Sequence, residues 1–108
     1  MKTITLLFAL FLLVGCASYK AIMPTQVDAD KGAATYTGYT LAELNQGKTL
    51  YEAKCGNCHG LKKPSSKTQE QWQQIVPRMA VKANKRGEVI NAHDQELILK
   101  FLVTMGGK

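Results

Sequence analysis

The chain has 108 residues, three cysteines and a formal net charge of +6. This length allows one domain and excludes two, while 45 % hydrophobic and 20 % charged residues are typical of a globular protein rather than a disordered or collagen-like chain. Three cysteines are too few for a disulfide-rich scaffold, and the odd number requires another role for at least one of them. A chain this short builds only a small core, so a bound metal or cofactor would add to its stability.

Residues 1–15 have the layout of a secretory signal peptide. Lys2 gives a basic start, an apolar stretch runs from Ile4 to Val14, and the small Gly15 follows. The apolar stretch is too short to cross a bilayer core of about 30 Å as a helix. We therefore predict that this segment directs export rather than spanning the membrane.

The exit of this segment, L-V-G-C at residues 13–16, is similar to the lipobox of bacterial lipoproteins. The resemblance implies that Cys16 is lipidated and becomes the first residue of the mature chain, which would anchor the protein stably in a membrane. The alternative is an ordinary signal peptide with a chance cysteine near its end. Ala17 follows where inner-membrane lipoproteins of Gram-negative bacteria carry aspartate, so the resemblance favours the outer membrane.

Residues 16–39 are predicted to form the lipidated N-terminus and a flexible tether. The segment shows no helical or alternating apolar period, and Pro24 and two glycines interrupt it. Its end contains Tyr36 and Tyr39 and is more aromatic than a spacer requires. We expect this end to pack on the domain that follows.

Residues 55–59 read C-G-N-C-H, the attachment signature of c-type haem. In such a site the thiols of Cys55 and Cys58 bind the two vinyl groups of one haem c, and His59 ligates its iron. Three alternatives use the same residues. A dithiol redox motif expects a thioredoxin-like β–α–β context, which is absent. Structural zinc needs four ligands, and a disulfide between the two cysteines would close a very small, strained ring.

The residues before the motif resemble the first helix and haem loop of small class I cytochromes c. Thr40 is placed to cap this helix, with Glu43 as its capping-box partner. In that family a glycine such as Gly47 lets the first and last helices cross closely beside an aromatic residue of the latter. Phe101 is the candidate partner for that contact.

A second amphipathic helix is predicted near the C-terminus. Asn91 can cap it, and Asp94 in its first turn suits the helix dipole. Apolar residues recur at helical spacing along it: Leu97, Ile98, Phe101, Leu102 and Met105. The pattern resembles the closing helix of class I cytochromes, so the resemblance extends over residues 40–105.

The second axial ligand of the iron decides between electron transfer and an open, reactive haem. We predict Met79, because class I cytochromes place a ligand methionine ahead of the closing helix. Residues 72–79 also resemble the tryptophan-to-methionine helix of short members. The alternative places Met79 in the core, on a stripe with Trp72, Ile75 and Val76.

The other candidate ligands are Met105, His93 and Met23, which lies in the predicted tether. Pro77 also affects the geometry of Met79. Met105 is predicted to be a core residue of the last helix, and His93 a solvated residue at its start. Pro77 is expected to end, kink or restart the helix that begins near Thr68.

Pro64 resembles the loop proline of this family whose carbonyl accepts a hydrogen bond from the ligand histidine. The alternative is a simple turn proline. The side chains expected around the haem are Leu50, Leu61, Trp72, Ile75, Leu97 and Phe101.

Basic residues flank the C-x-x-C-H motif and follow Met79. They are Lys54, Lys62, Lys63, Lys67, Lys82, Lys85 and Arg86. A basic ring at the haem edge would attract an acidic redox partner. The alternative is a set of scattered, solvated side chains.

These observations predict an all-α, class I cytochrome c-like domain over residues 40–108, with three to four helices around one covalent haem. The resemblance implies one-electron transfer on the periplasmic side of a membrane, by a protein that is not an enzyme. Neither a nucleic acid nor a small-molecule substrate is expected. Two alternatives are a haem subunit of a larger oxidoreductase complex and a five-coordinate haem sensor or peroxidase.

Overall fold

A computed structural model describes residues 22–55 and 60–106, and in these ranges the structure is helical and contains no β-strand. The four α-helices are α1 (Gln26–Ala33), α2 (Leu41–Leu50), α3 (Gln69–Lys85) and α4 (Ala92–Gly106). A π-helical turn at Tyr51–Cys55 continues α2, and a 3₁₀ turn at Pro64–Ser66 precedes α3. The predicted all-α class is therefore confirmed. No helix in these ranges is long and apolar enough to span a membrane.

The helices α2 and α4 cross closely at Gly47. A Cβ atom placed on Gly47 would collide with the carbonyl oxygen of Leu97 and would lie 2.8 Å from Cβ of Phe101. Thr40 caps α2 as predicted, since its hydroxyl accepts a hydrogen bond from the Glu43 N–H at 3.2 Å. The expected glycine-to-aromatic crossing of the first and last predicted helices is thus confirmed.

The core lies along α4, on which the other three helices pack. Phe101 and Leu44 are fully buried at its centre, and the Tyr51 ring lies 5.8 Å from the Phe101 ring. The predicted apolar face of α4 is buried over Leu97, Ile98, Phe101 and Leu102. Its predicted cap is also present, because Oδ1 of Asn91 accepts from the Asp94 N–H at 2.8 Å.

Helix α1 corrects the prediction of an irregular tether over residues 16–39. Residues 26–33 are helical and begin with a reciprocal capping box between Thr25 and Asp28. Ala29 is fully buried, and a Cβ on Gly32 would lie 2.7 Å from the Thr104 hydroxyl of α4. The helix therefore packs on α4 as part of the domain.

The tyrosines that follow α1 pack on the domain, as predicted. Tyr39 is 6 % exposed, and the Tyr36 ring meets it edge to face at a centroid distance of 5.9 Å. The Lys100 ammonium lies 5.4 Å from the centre of the Tyr36 ring and 5.9 Å from that of Tyr39. This cation–π arrangement joins the connection between α1 and α2 to α4.

Helix α3 runs without interruption through Pro77. The helix begins at Thr68, which forms a capping box with Gln71, and continues to Lys85. Pro77 is exposed, as is Gln73, whose carbonyl loses its usual N–H donor and can bind water instead. Of the three outcomes expected at Pro77, an end and a restart of the helix are therefore excluded.

Candidate functional site

A partly open apolar cavity of about 140 Å³ lies between the π-turn, α3 and α4. The surface of its wall is almost entirely apolar. The lining residues are Tyr51, Cys55, Gly60, Leu61, Lys62, Lys67, Trp72, Ile75, Val76, Met79, Ala80, Ile90, Ile98 and Leu102. Of the four predicted haem-site residues, this cavity brings together Cys55 and Met79.

The π-turn places Cys55 in the wall of the cavity. Its backbone follows directly from α2, so the thiol position depends on the close packing of that helix on α4. Single π-turns inside helices occur often at functional sites, because the wider turn re-aims the residues that follow it. Tyr51 and Cys55, at the two ends of this turn, both face the cavity.

Lys54 holds the same turn against the start of α4. Its ammonium donates to the carbonyl oxygen of Val89 at 2.5 Å and lies 3.5 Å from a carboxylate oxygen of Asp94. The Lys54 side chain is therefore engaged inside the fold. This differs from its predicted place in a basic ring that attracts a partner.

The segment after the motif is fixed at Lys62 and at Pro64. The Tyr51 hydroxyl donates to the carbonyl oxygen of Lys62 at 2.6 Å and accepts from its N–H at 3.0 Å. Nε1 of Trp72 donates to the carbonyl oxygen of Pro64 at 2.9 Å, and Gly106 packs directly on Pro64. The Pro64 carbonyl thus serves Trp72, and its second lone pair stays available to another donor.

Met79 reaches the cavity from α3. The helix buries Trp72, Val76 and Ala80 on this side, and Met79 and Ile75 are half-buried beside them. The stripe predicted from helical spacing therefore lines the cavity, and Trp72 and Val76 in it also belong to the core. Met79 stands on the wall with its flexible thioether, a group that can ligate a soft or borderline metal.

Two lysines stand at the rim of the cavity. Lys62 is exposed and Lys67 is half-buried, and both contribute to the lining. Within the described ranges, neither has an acidic side chain in ion-pair contact. An apolar interior with unpaired cations at its mouth suits a flat apolar group that carries carboxylates.

Several predicted residues lie elsewhere. Cys16, Cys58 and His59 are outside the described residues. His93 is exposed and borders a separate, open groove between α2 and α4, as expected for a solvated helix start. Met105 is partly buried against the core. Neither of the last two lines the cavity that contains Met79.

The expected haem surroundings are only partly the cavity wall. Leu61, Trp72 and Ile75 line it. Leu50 and Leu97 instead border the separate groove, and Phe101 fills the core beneath Gly47. The wall residues that sequence reasoning missed are Tyr51, Val76, Ala80, Ile90, Ile98 and Leu102. Ile98 and Leu102 had a usable signal, because they recur at i and i+4 on the predicted apolar face of α4.

No protein-family profile matches the chain, and no curated protein or solved structure matches it significantly. Across residues 22–55 and 60–106, no three side chains among histidine, cysteine, aspartate and glutamate are grouped to hold a metal ion.

The chemistry of the cavity suits a covalently attached haem. The wall provides apolar contact for a porphyrin, Cys55 a thiol for one vinyl group, and Met79 a thioether for the iron. A porphyrin is larger than the enclosed volume, so the cavity would enclose only part of one. Lys62 and Lys67 would supply positive charge for its carboxylates.

Proposed function

We propose that this protein is a membrane-anchored c-type cytochrome that carries single electrons between redox partners. The supporting observation is that Cys55 and Met79, from two separate helical elements, face one apolar cavity. Cys58 and His59, the other haem-binding residues of the C-x-x-C-H motif, follow Cys55 by three and four residues in the sequence. When bound, the haem would supply an iron that alternates between Fe(II) and Fe(III).

The residues of the chain would each serve the group in a defined way. Cys55 and Cys58 would hold it covalently, and His59 and Met79 would ligate its iron. Trp72, Val76 and Ile98 would exclude water from it, and a low-polarity environment with a methionine ligand raises the reduction potential. No general acid or base is required for this function.

A mass and an absorption spectrum of the protein from a periplasmic expression host test the proposal. We expect a mass increase that matches one covalent haem and a low-spin ferric spectrum with the weak band near 695 nm typical of methionine ligation. CO should bind the reduced protein slowly or not at all. An unmodified mass, or a mass decrease that matches a disulfide, would contradict the proposal. A high-spin spectrum with rapid CO binding would favour a sensor or peroxidase.

Substitution of the proposed methionine ligand gives a direct prediction. In Met79→Ala the 695 nm band should disappear and CO should bind the reduced protein at least about tenfold faster, because the sixth position opens. Met105→Ala is the matched control, since Met105 is partly buried on α4 but does not line the cavity. A band that survives in Met79→Ala, or is lost in Met105→Ala, would contradict the assignment of Met79.

We propose that Cys16 anchors the protein on the periplasmic side of a membrane, with the outer membrane favoured. The support is the lipobox-like sequence at residues 13–16. The wild-type protein should fractionate with membranes and carry an acylated N-terminus by mass spectrometry. Cys16→Ser should be recovered without acyl groups. Membrane association that is unchanged in Cys16→Ser would contradict the anchor.

An acidic redox partner is the counterpart that the surface charge favours. The cavity is bordered by Lys62 and Lys67. The last turn of α3 exposes Lys82 and Lys85, and the exposed Arg86 follows it. The rate of electron exchange with an acidic partner protein should fall as ionic strength rises, because salt screens the attraction. Stopped-flow kinetics at several salt concentrations measure this, and a flat response would rule out electrostatic docking.

A further inference from the structure

The hydroxyl of Tyr51 joins the two ends of the segment that contains the C-x-x-C-H motif. It donates to the Lys62 carbonyl oxygen at 2.6 Å and accepts from the Lys62 N–H at 3.0 Å. Tyr51 begins the π-turn that ends at Cys55, and it is 4 % exposed. One buried side chain therefore satisfies both backbone groups of a residue on the far side of the motif.

The ring of Tyr51 does not need this bond to stay in place. It packs on Phe101 and closes part of the cavity wall, which a phenylalanine would do equally well. Burial raises the pKa of Tyr51 to about 12, against the opposing effect of the bond to Lys62, so the hydroxyl keeps its proton at neutral pH. The hydroxyl is thus a separate feature, directed at the Lys62 backbone.

The near end of the segment is held as well. Lys54, next to Cys55, is joined to Val89 and Asp94. Lys54 and Lys62, on the two sides of the motif in sequence, are therefore both held by contacts within the fold. Fixed attachment points of this kind lower the entropy lost when a group is bound between them.

We propose that Tyr51 is a positioning residue for the proposed haem, because its hydroxyl holds the backbone of Lys62, three residues after His59 in sequence. This inference rests on the proposed haem site. It assigns a role to a side chain that the motif does not include. Tyr51 acts through the Lys62 backbone rather than by touching the iron.

The test compares Tyr51→Phe with Tyr39→Phe in the haem-loaded protein. Tyr39 is also buried, but its hydroxyl lies beside Thr104 of α4 and not at the Lys62 backbone. In Tyr51→Phe we expect the Lys62 amide to exchange with solvent about tenfold faster, the effect of losing hydrogen bonds of ordinary strength. Imidazole should also displace the axial ligand of the ferric protein about tenfold faster. Tyr39→Phe should change neither rate.

A second control separates the backbone of Lys62 from its side chain. Lys62→Ala keeps the amide and the carbonyl that Tyr51 binds, so exchange at residue 62 should stay at the wild-type rate. A wild-type chain without covalent haem would overturn both this inference and the proposed function. A haem-loaded protein in which Tyr51→Phe leaves both rates unchanged would overturn this inference alone. Equal changes in Tyr51→Phe and Tyr39→Phe would also overturn it.

Discussion

Gly47 sets how closely α2 and α4 approach each other. The carbonyl oxygen of Leu97 occupies the place where a side chain would begin, and the backbone of α4 cannot move without displacing Phe101 from the core. Because α2 continues into the π-turn, the position of Cys55 depends on this crossing. A single missing side chain therefore affects both the core and the cavity.

Gly47→Ala should lower the free energy of unfolding by about 2 kcal/mol or more, because the added methyl group overpacks the crossing. Helix propensity alone would favour alanine by about 1 kcal/mol, so a net loss reports the contact with α4. Denaturant unfolding measures the change. Gln46→Ala, at the exposed neighbouring position of the same helix, should stay within about 0.5 kcal/mol of wild type. Equal stability of Gly47→Ala and wild type would exclude a tight crossing.

Residues of the site differ in how far the sequence could predict them. The motif predicts Cys55 as a haem-binding residue, and a family resemblance predicts Met79 as a ligand. Both predictions are possible because each role uses a recognisable residue type at a characteristic spacing. The role of Tyr51 was not foreseen, since its hydrogen bonds to Lys62 depend on how the chain returns after the motif. Long-range contacts of this kind have no local signature in the sequence.

The helices also divide by the kind of signal they carry. Helices α2 and α4 were predicted from their caps and from apolar residues at helical spacing. Helix α1 was missed because it buries Ala29 and Gly32, small residues that do not form an apolar stripe. The available signal was Thr25 followed by Asp28, which form its capping box. Pro77 does not end α3. The energetic cost of a proline inside a helix falls when the carbonyl that lacks its N–H donor faces water.

The packing of α1 on the domain gives a prediction at the level of this element. Ala29→Asp should lower the free energy of unfolding by about 2 kcal/mol or more, since it places a carboxylate at a fully buried position. Val27 lies on the same helix and is 75 % exposed. Val27→Asp should change the free energy of unfolding by less than about 0.5 kcal/mol. Thermal or denaturant unfolding of the two variants measures the difference. If both are as stable as wild type, α1 does not pack on the domain.

At the scale of the molecule, the cavity lies inside a small domain. Trp72, Ile98 and Leu102 belong to the buried core and also line the cavity, so their packing is incomplete on the side that faces it. A domain of this size has little stability to spare. A haem that filled the cavity would contribute a large share of the total apolar contact.

A chain that lacks residues 1–15, the proposed signal peptide, would stay in the cytoplasm and receive no covalent haem. We expect this chain to be largely unfolded. Its far-UV circular dichroism should show a large loss of helix relative to the haem-loaded protein, and its thermal melt should lack a cooperative transition. The haem-loaded protein prepared in the same buffer is the control. A haem-free chain with full helix content and a sharp melt would show that the domain does not depend on the group.

The packing of α1 on α4 also determines how far the domain can move from a membrane. With Cys16 lipidated as proposed, a tether over residues 17–39 would reach about 80 Å when fully extended. Because residues 26–33 are part of the folded domain, only residues 17–25 would separate Cys16 from it. A segment of that length spans at most about 30 Å. An electron donor or acceptor would then have to meet this protein close to the bilayer surface, and a partner held deeper in the periplasm would stay out of range.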